Sequence, residues 1–230
     1  MDPLISLGVA SLGLGLAMAA LVGRMARGGE VSQGFARKTF HAAVFTGAVP
    51  AQLLQGFWGV VVYGFVLTPI VLFALWKGPG FPLFDALARR SDGRSSHKDV
   101  LTPLVSTAFG GLLSALLVGS FAIVGYLACG WGDAVGEPAG ERWGRHRYSS
   151  PLARGNRMTR SAEGSLAVFL VGSLGAGVAI GLLDFSLPQA LGIGLLCGAV
   201  GAVAEGLSGP GMDNLWVQLL PSLSAWWFLG

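Results

Sequence analysis

Eight apolar stretches, near residues 4–23, 40–55, 57–76, 102–118, 121–140, 165–183, 188–206 and 214–229, leave this chain little choice of fold. A bilayer offers the backbone no water, so a spanning segment must satisfy its own polar groups. An apolar helix does so in about 17–25 residues. The expected fold is therefore all-α: a polytopic membrane helix bundle of about seven or eight transmembrane helices, seven if the short stretch 40–55 is re-entrant. Composition agrees, since 53% of residues are hydrophobic and 12% charged, against about 25% charged in soluble domains. The first run has no basic residue ahead of it and reads as a retained span, not a signal peptide. No long linker divides the chain, which is expected to form one integral-membrane domain over 1–230.

All 15 lysines and arginines fall between Arg24 and Lys38, between Lys77 and Lys98, or between Arg142 and Arg160. Clustered basic loops mark the cytoplasmic side, so the polar sites are expected there, in the inner membrane if the chain is bacterial. The segment 77–101 reads as a short interfacial helix and a loop, with His97 solvated. Cys129 and Cys197 have no metal-type spacing and read as buried packing residues.

Four polar clusters sit at the basic ends of the spans. In "RKTFH", Arg37 and His41 share a helix face; an interfacial basic anchor accounts for them equally well. In "GWGDAVGEPAGERWG", an i,i+4 ladder stacks Asp133, Glu137 and Glu141 beside a stripe of glycines. Adjacent carboxylates repel, and a bound divalent cation removes that penalty. The glycines admit close approach by a helix or a ligand. In "RHRYSSPLARGNRMTRSAEGS", five arginines precede Glu163 and Ser165, which suit a helix N-terminus. Acids followed by arginines are the division of labour of phosphoryl transfer, metal on one side and phosphates on the other. In "AEGLSGPGMDNLW", Glu205 closes an apolar span and Asp213 opens the next. Asp213 is explicable as a helix cap, whereas an ionisable group at membrane depth is a functional candidate. No GxxxxGK[ST] loop, kinase HRD or DFG set, or HExxH occurs.

Taken in order, these motifs resemble the integral-membrane lipid-alcohol kinases, the family of dolichol, phytol and polyprenol kinases and CTP-dependent diacylglycerol kinase, relatives of CDP-diacylglycerol synthases. The resemblance rests on Asp133, Glu137, Gly140 and Gly144; on "RSAEGS", with Arg160 and Ser161 where the family has Lys and Thr; on Arg37, Lys38 and His41; and on Glu205, Asp213, Asn214 and Leu215. It covers about residues 37–230. Gln218 stands where the family has Pro, and no family role is carried onto Glu30.

The resemblance implies transfer of the γ-phosphoryl group of CTP to the hydroxyl of a prenol-type lipid. It implies Mg²⁺ held by Asp133, Asp213 and Glu137, phosphates bound by Arg37, Lys38, Arg157 and Arg160, and these groups positioned by Glu163, Ser165 and Asn214. Either Glu205 or His41 would orient the lipid hydroxyl. The partners implied are a lipid alcohol and a nucleotide, with no nucleic acid and with a homodimer possible. Two other readings stay open: a CDP-lipid synthase using the same architecture, and a small ion-coupled transporter, which would carry its acids near the bilayer midplane.

Overall fold

The computed structural model describes residues 2–28, 31–88, 90–91, 94–95, 97–152, 159–209 and 211–230. Its helices are α1 (Pro3–Gly28), α2 (Gln33–Lys77), α3 (Pro82–Leu87), α4 (Lys98–Val118), α5 (Ala122–Trp143), α6 (Ala162–Leu182), α7 (Leu187–Leu207) and α8 (Asp213–Leu229). Two antiparallel strand pairs add short hairpins: β1 (Arg90–Ser91) with β2 (Arg94–Ser95), and β3 (Arg147–Ser149) with β4 (Thr159–Ser161). The segment read from sequence as an interfacial helix and loop thus carries α3 and the β1–β2 hairpin. His97 at its end is exposed, with its ring 5.3 Å from that of Phe84.

Among the described residues, five helical stretches are long and apolar enough to cross a bilayer, and two of them fold back on themselves. Within α2, Gly56 adopts φ 56°, ψ −143°, a backbone region open almost only to glycine. The arms 33–55 and 57–77 consequently run antiparallel, stitched by Tyr63 Oη donating to the Val44 carbonyl at 2.8 Å. The first arm is roughly 34 Å long at 1.5 Å per residue, a full span. Gly119, at φ 57°, turns α4 back into α5 in the same way, and Tyr126 Oη donates to the Gly111 carbonyl at 2.8 Å across that hairpin. The chain is therefore an all-α, multi-pass membrane bundle whose successive long helices alternate in direction. Alternation brings the starts of α2, α4, α6 and α8 to the same end as the finishes of α5 and α7.

At the centre of the bundle lies α5, buried almost continuously from Ala122 to Asp133. Its glycines Gly132, Gly136 and Gly140 pack against α6 and the residue that caps it. A Cβ on Gly132 would lie 3.0 Å from the Val168 carbonyl oxygen and 3.2 Å from Gly172 Cα; one on Gly136 would lie 2.5 Å from Val168 Cγ2. From α6 the same device answers, since a Cβ on Gly164 would lie 2.8 Å from the Gly136 carbonyl. The stripe is thus a helix-packing seam, with backbones in close approach. Cys129 and Cys197 are free and buried within the core.

Candidate active site

About 100° around the helix from its glycine seam, α5 presents its acids to the first arm of α2. The antiparallel crossing aligns Arg37 with Glu137 and His41 with Asp133. Arg37 Nη2 pairs with Glu137 Oε2. Lys38 Nζ lies 2.6 Å from Asp133 Oδ1 and 3.8 Å from Glu137 Oε2, and His41 Nε2 lies 3.3 Å from Asp133 Oδ2. Two local features fix the entry of α2. Ser32 caps the helix by accepting from the Phe35 amide at 3.2 Å, and Gln33 Nε2 donates to the Ala88 carbonyl at 3.0 Å.

Two further helix ends close on the same point. Arg160, on β4, pairs through Nη1 with Glu205 at the finish of α7, and its Nη2 lies 3.4 Å from Asp213 Oδ2 at the start of α8. Asp133, Glu205 and Asp213 each direct a carboxylate oxygen to a common spot, all within 4.8 Å of one another. All three acids and Lys38 are buried. Three hard oxygen donors at this separation suit Mg²⁺, which takes carboxylates, phosphate oxygens and water and demands no softer ligand.

Several positions expected from sequence are placed differently. Glu137 stands outside the group of three, in the ion pair with Arg37, and Glu205 occupies the third place. Glu163 turns away from the acids: its Oε1 lies 2.7 Å from His146 Nδ1, and both carboxylate oxygens accept from the His146 amide at 3.3 Å. It thereby ties the β3–β4 hairpin to the first turn of α6. Ser161, not Ser165, caps α6, accepting from the Gly164 amide at 3.1 Å. Ser165 Oγ instead lies 2.6 Å from Tyr148 Oη. Asn214 Nδ2 donates to Thr107 Oγ1 at 2.7 Å, which locks the start of α8 to α4. Glu141 is exposed at the mouth of the site. Arg157 lies outside the described residues.

Two spaces meet at this constellation. A polar cavity of about 340 Å³ is walled by Glu137, Gly140, Glu141, Arg147, Arg160, Ser165 and Glu205, among others. An apolar groove of about 780 Å³ runs between the α2 hairpin, α4, α5 and α8, past Phe40, Val44, Phe45, Leu67, Val71, Leu104 and Leu112. Phe65 and Leu72 line the groove and are themselves exposed on the bundle surface, so the groove opens sideways toward lipid. Along the first arm of α2 it extends from Arg37 to Ala48, about 17 Å, roughly half the ~30 Å hydrocarbon thickness. Lys38, Asp133 and Asp213 line both spaces.

A phytol kinase of Synechocystis sp. is 31% identical to the chain over 162 residues, covering 66% of the chain and 60% of the relative. The match supports assignment of the chain to the polyprenol and phytol kinase family. It spans about 60% of that relative's length. No family model matches the chain, and no solved structure matches it.

Proposed function

We propose that the chain is a lipid-alcohol kinase that transfers the γ-phosphoryl group of CTP to the hydroxyl of a prenol-type lipid, on the cytoplasmic side of the membrane. The observation that carries this reading is the shared wall. Among the described residues, a charged, polar cavity and a lipid-facing apolar groove share the walls formed by Lys38, Asp133 and Asp213, so a phosphorylated nucleotide and a lipid alcohol would meet across those residues. The phytol kinase relative supports it from the side of sequence.

The groove takes the hydrocarbon tail, where burial of apolar surface supplies the affinity. The hydroxyl is thereby left at the groove's polar end. His41 lines the groove and Glu205 the polar cavity, which divides the two residues between which the sequence left the choice open. His41 orients the lipid hydroxyl, and the Asp133 carboxylate beside it holds the hydroxyl proton at Oδ2. Glu205 joins Asp133 and Asp213 as the residues that would hold Mg²⁺. Held there, Mg²⁺ would supply charge neutralisation for the nucleotide's phosphates. Lys38, Arg37 and Arg160 supply the remaining positive charge, Arg160 as a planar fork matched to phosphate. Little covalent work is left to the protein, because phosphoryl transfer is chiefly positioning and charge neutralisation.

A transporter would need acids accessible from both faces, whereas Glu205 lies two residues from the finish of α7 and Asp213 is the first residue of α8. The deciding experiment offers the purified protein labelled CTP or ATP with a panel of prenols and diacylglycerol. The expected products are CDP and a lipid monophosphate, with CTP preferred. Release of pyrophosphate with a phosphorylated lipid as acceptor would assign the chain to the CDP-lipid synthases instead, and no turnover with any pair would overturn the kinase reading.

A further inference from the structure

The three acids already hold counter-ions of their own. Carboxylates within 4.8 Å of one another repel strongly in a buried site, and among the described residues Lys38 and Arg160 form ion pairs with them. The two cations differ in how they are held. Lys38 is part of α2, one residue from Arg37 in the seam with α5. Arg160 reaches in from β4, outside the long helices, and spreads its guanidinium over acids of two different helices. Its Nε is buried without a partner among the described residues, and its Nη2 reaches the Ser208 carbonyl only at 3.5 Å. Arg160 also lines the polar cavity. A guanidinium has five donors, so it can trade a carboxylate for phosphate oxygens in the same cavity while keeping its charge compensated.

We infer that Arg160 is an exchangeable counter-ion. It occupies the Glu205–Asp213 side of the acid group while no divalent cation is bound, and passes to phosphate oxygens when a metal–nucleotide pair enters. Metal binding then depends on nucleotide, because the ion alone would have to share the acids with a guanidinium it repels, whereas the nucleotide gives that guanidinium a new partner. This inference rests on the assignment of the metal to the three acids proposed above.

The test measures Mn²⁺ binding to the full-length protein in lipid nanodiscs, from the loss of the free aqua-ion signal in electron paramagnetic resonance, without lipid acceptor. The protein alone should bind Mn²⁺ weakly. Arg160→Gln should bind it at least tenfold more tightly, Arg160→Lys should bind like the parent, and adding Asp213→Asn to Arg160→Gln should abolish the gain. Equal or weaker binding by Arg160→Gln, or a gain that survives Asp213→Asn, overturns the exchange. A second measurement needs no substitution at Arg160. With CDP present, the parent protein should bind Mn²⁺ at least tenfold more tightly than expected from protein alone plus the Mn²⁺–CDP complex in solution, and the absence of that rise also overturns it. Failure of the metal assignment has a different signature: Asp133→Asn and Asp213→Asn would each leave Mn²⁺ binding in the presence of CDP untouched.

Discussion

The two faces of α5 repeat with nearly the same period and do unrelated work. On one face Gly132, Gly136 and Gly140 let α6 approach until backbone meets backbone. On the other, Asp133 and Glu137 meet Arg37, Lys38 and His41 of α2. The glycine face is intolerant of volume where it meets α6, although Gly136 and Gly140 also border the polar cavity. The acidic face is the reverse: it has room, because two cavities open onto it, but its charges are matched one against another. Reading the ladder in "GDAVGEPAGERWG" as a single motif hides this division, since each acid stands one residue after a glycine, about 100° around the helix. Substitutions on the two faces should therefore fail in different measurements.

The deepest loss belongs to the acidic face. Asp133→Asn keeps the volume and removes the charge that faces Lys38, His41 and the other two acids. Turnover of lipid alcohol should fall at least ~1,000-fold, about 4 kcal/mol of transition-state stabilisation, while the melting temperature of the detergent-solubilised protein moves little. Activity within tenfold of the parent would remove Asp133 from the reaction. On the other face, Gly132→Val drives a branched side chain against the Val168 carbonyl and Gly172 Cα, backbone atoms that cannot rotate aside. Overpacking of this kind costs about 1–3 kcal/mol. The melting temperature should drop, and the activity per folded molecule should survive. A variant that melts normally but is inactive would mean that the glycine face also serves the chemistry.

Much of the helical framework is legible in the sequence, because an apolar run of 17–25 residues in a bilayer has few alternatives to a helix. Even the stretch 40–55, too short to read as a certain span, is extended in α2 by polar residues back to Gln33. The assembly of the site was partly legible. Four clusters at helix ends, alternating in direction, had to meet at one end of the bundle. Which acid takes the third place beside Asp133 and Asp213 was not, since the i,i+4 spacing favours Glu137 whereas Arg37, about 100 positions away in the chain, claims it. Glu205 carried a signal of its own, a carboxylate closing a span of small residues. Glu163 shows the opposite failure: helix-start chemistry placed it correctly, but only the fold of the β3–β4 hairpin reveals that it faces His146. Thr107, which holds Asn214, gave no sign, as a lone threonine in an apolar helix is ordinary.

The groove sharpens the contrast between the faces because, on the proposed reading, it takes the lipid tail, while its charged lining stands on α5 and at the starts of α2, α4 and α8. Ala108 lines its wall on α4, half-buried. Ala108→Phe fills space that a long tail needs, without touching the acids. Turnover of a long prenol should fall about tenfold, ~1.4 kcal/mol, with the loss concentrated in the KM for lipid. A short-chain alcohol should be phosphorylated as before, and the KM for nucleotide should not change. An equal loss with short and long acceptors would indicate that the tail lies elsewhere.

The smallest effect is expected at Glu137, and it tests the boundary between pairing and chemistry on the acidic face itself. Glu137 is paired with Arg37 and stands 3.8 Å from Lys38, yet about a quarter of its side chain is exposed. Ion pairs with access to water contribute about 0–1 kcal/mol. Glu137→Gln keeps the shape, leaves Asp133, Glu205 and Asp213 converging, and loosens Arg37 as well as Lys38 at the edge of the polar cavity. Turnover should fall by no more than about fivefold, seen mainly as a raised KM for nucleotide, because the residues displaced are those that would bind phosphate. A loss as deep as that of Asp133→Asn would place Glu137 among the metal's ligands, as its spacing from Asp133 suggests when the helix is read alone. The contacts of Arg37 would then describe only the metal-free arrangement, and the acidic face would change partners on binding at two arginines instead of one.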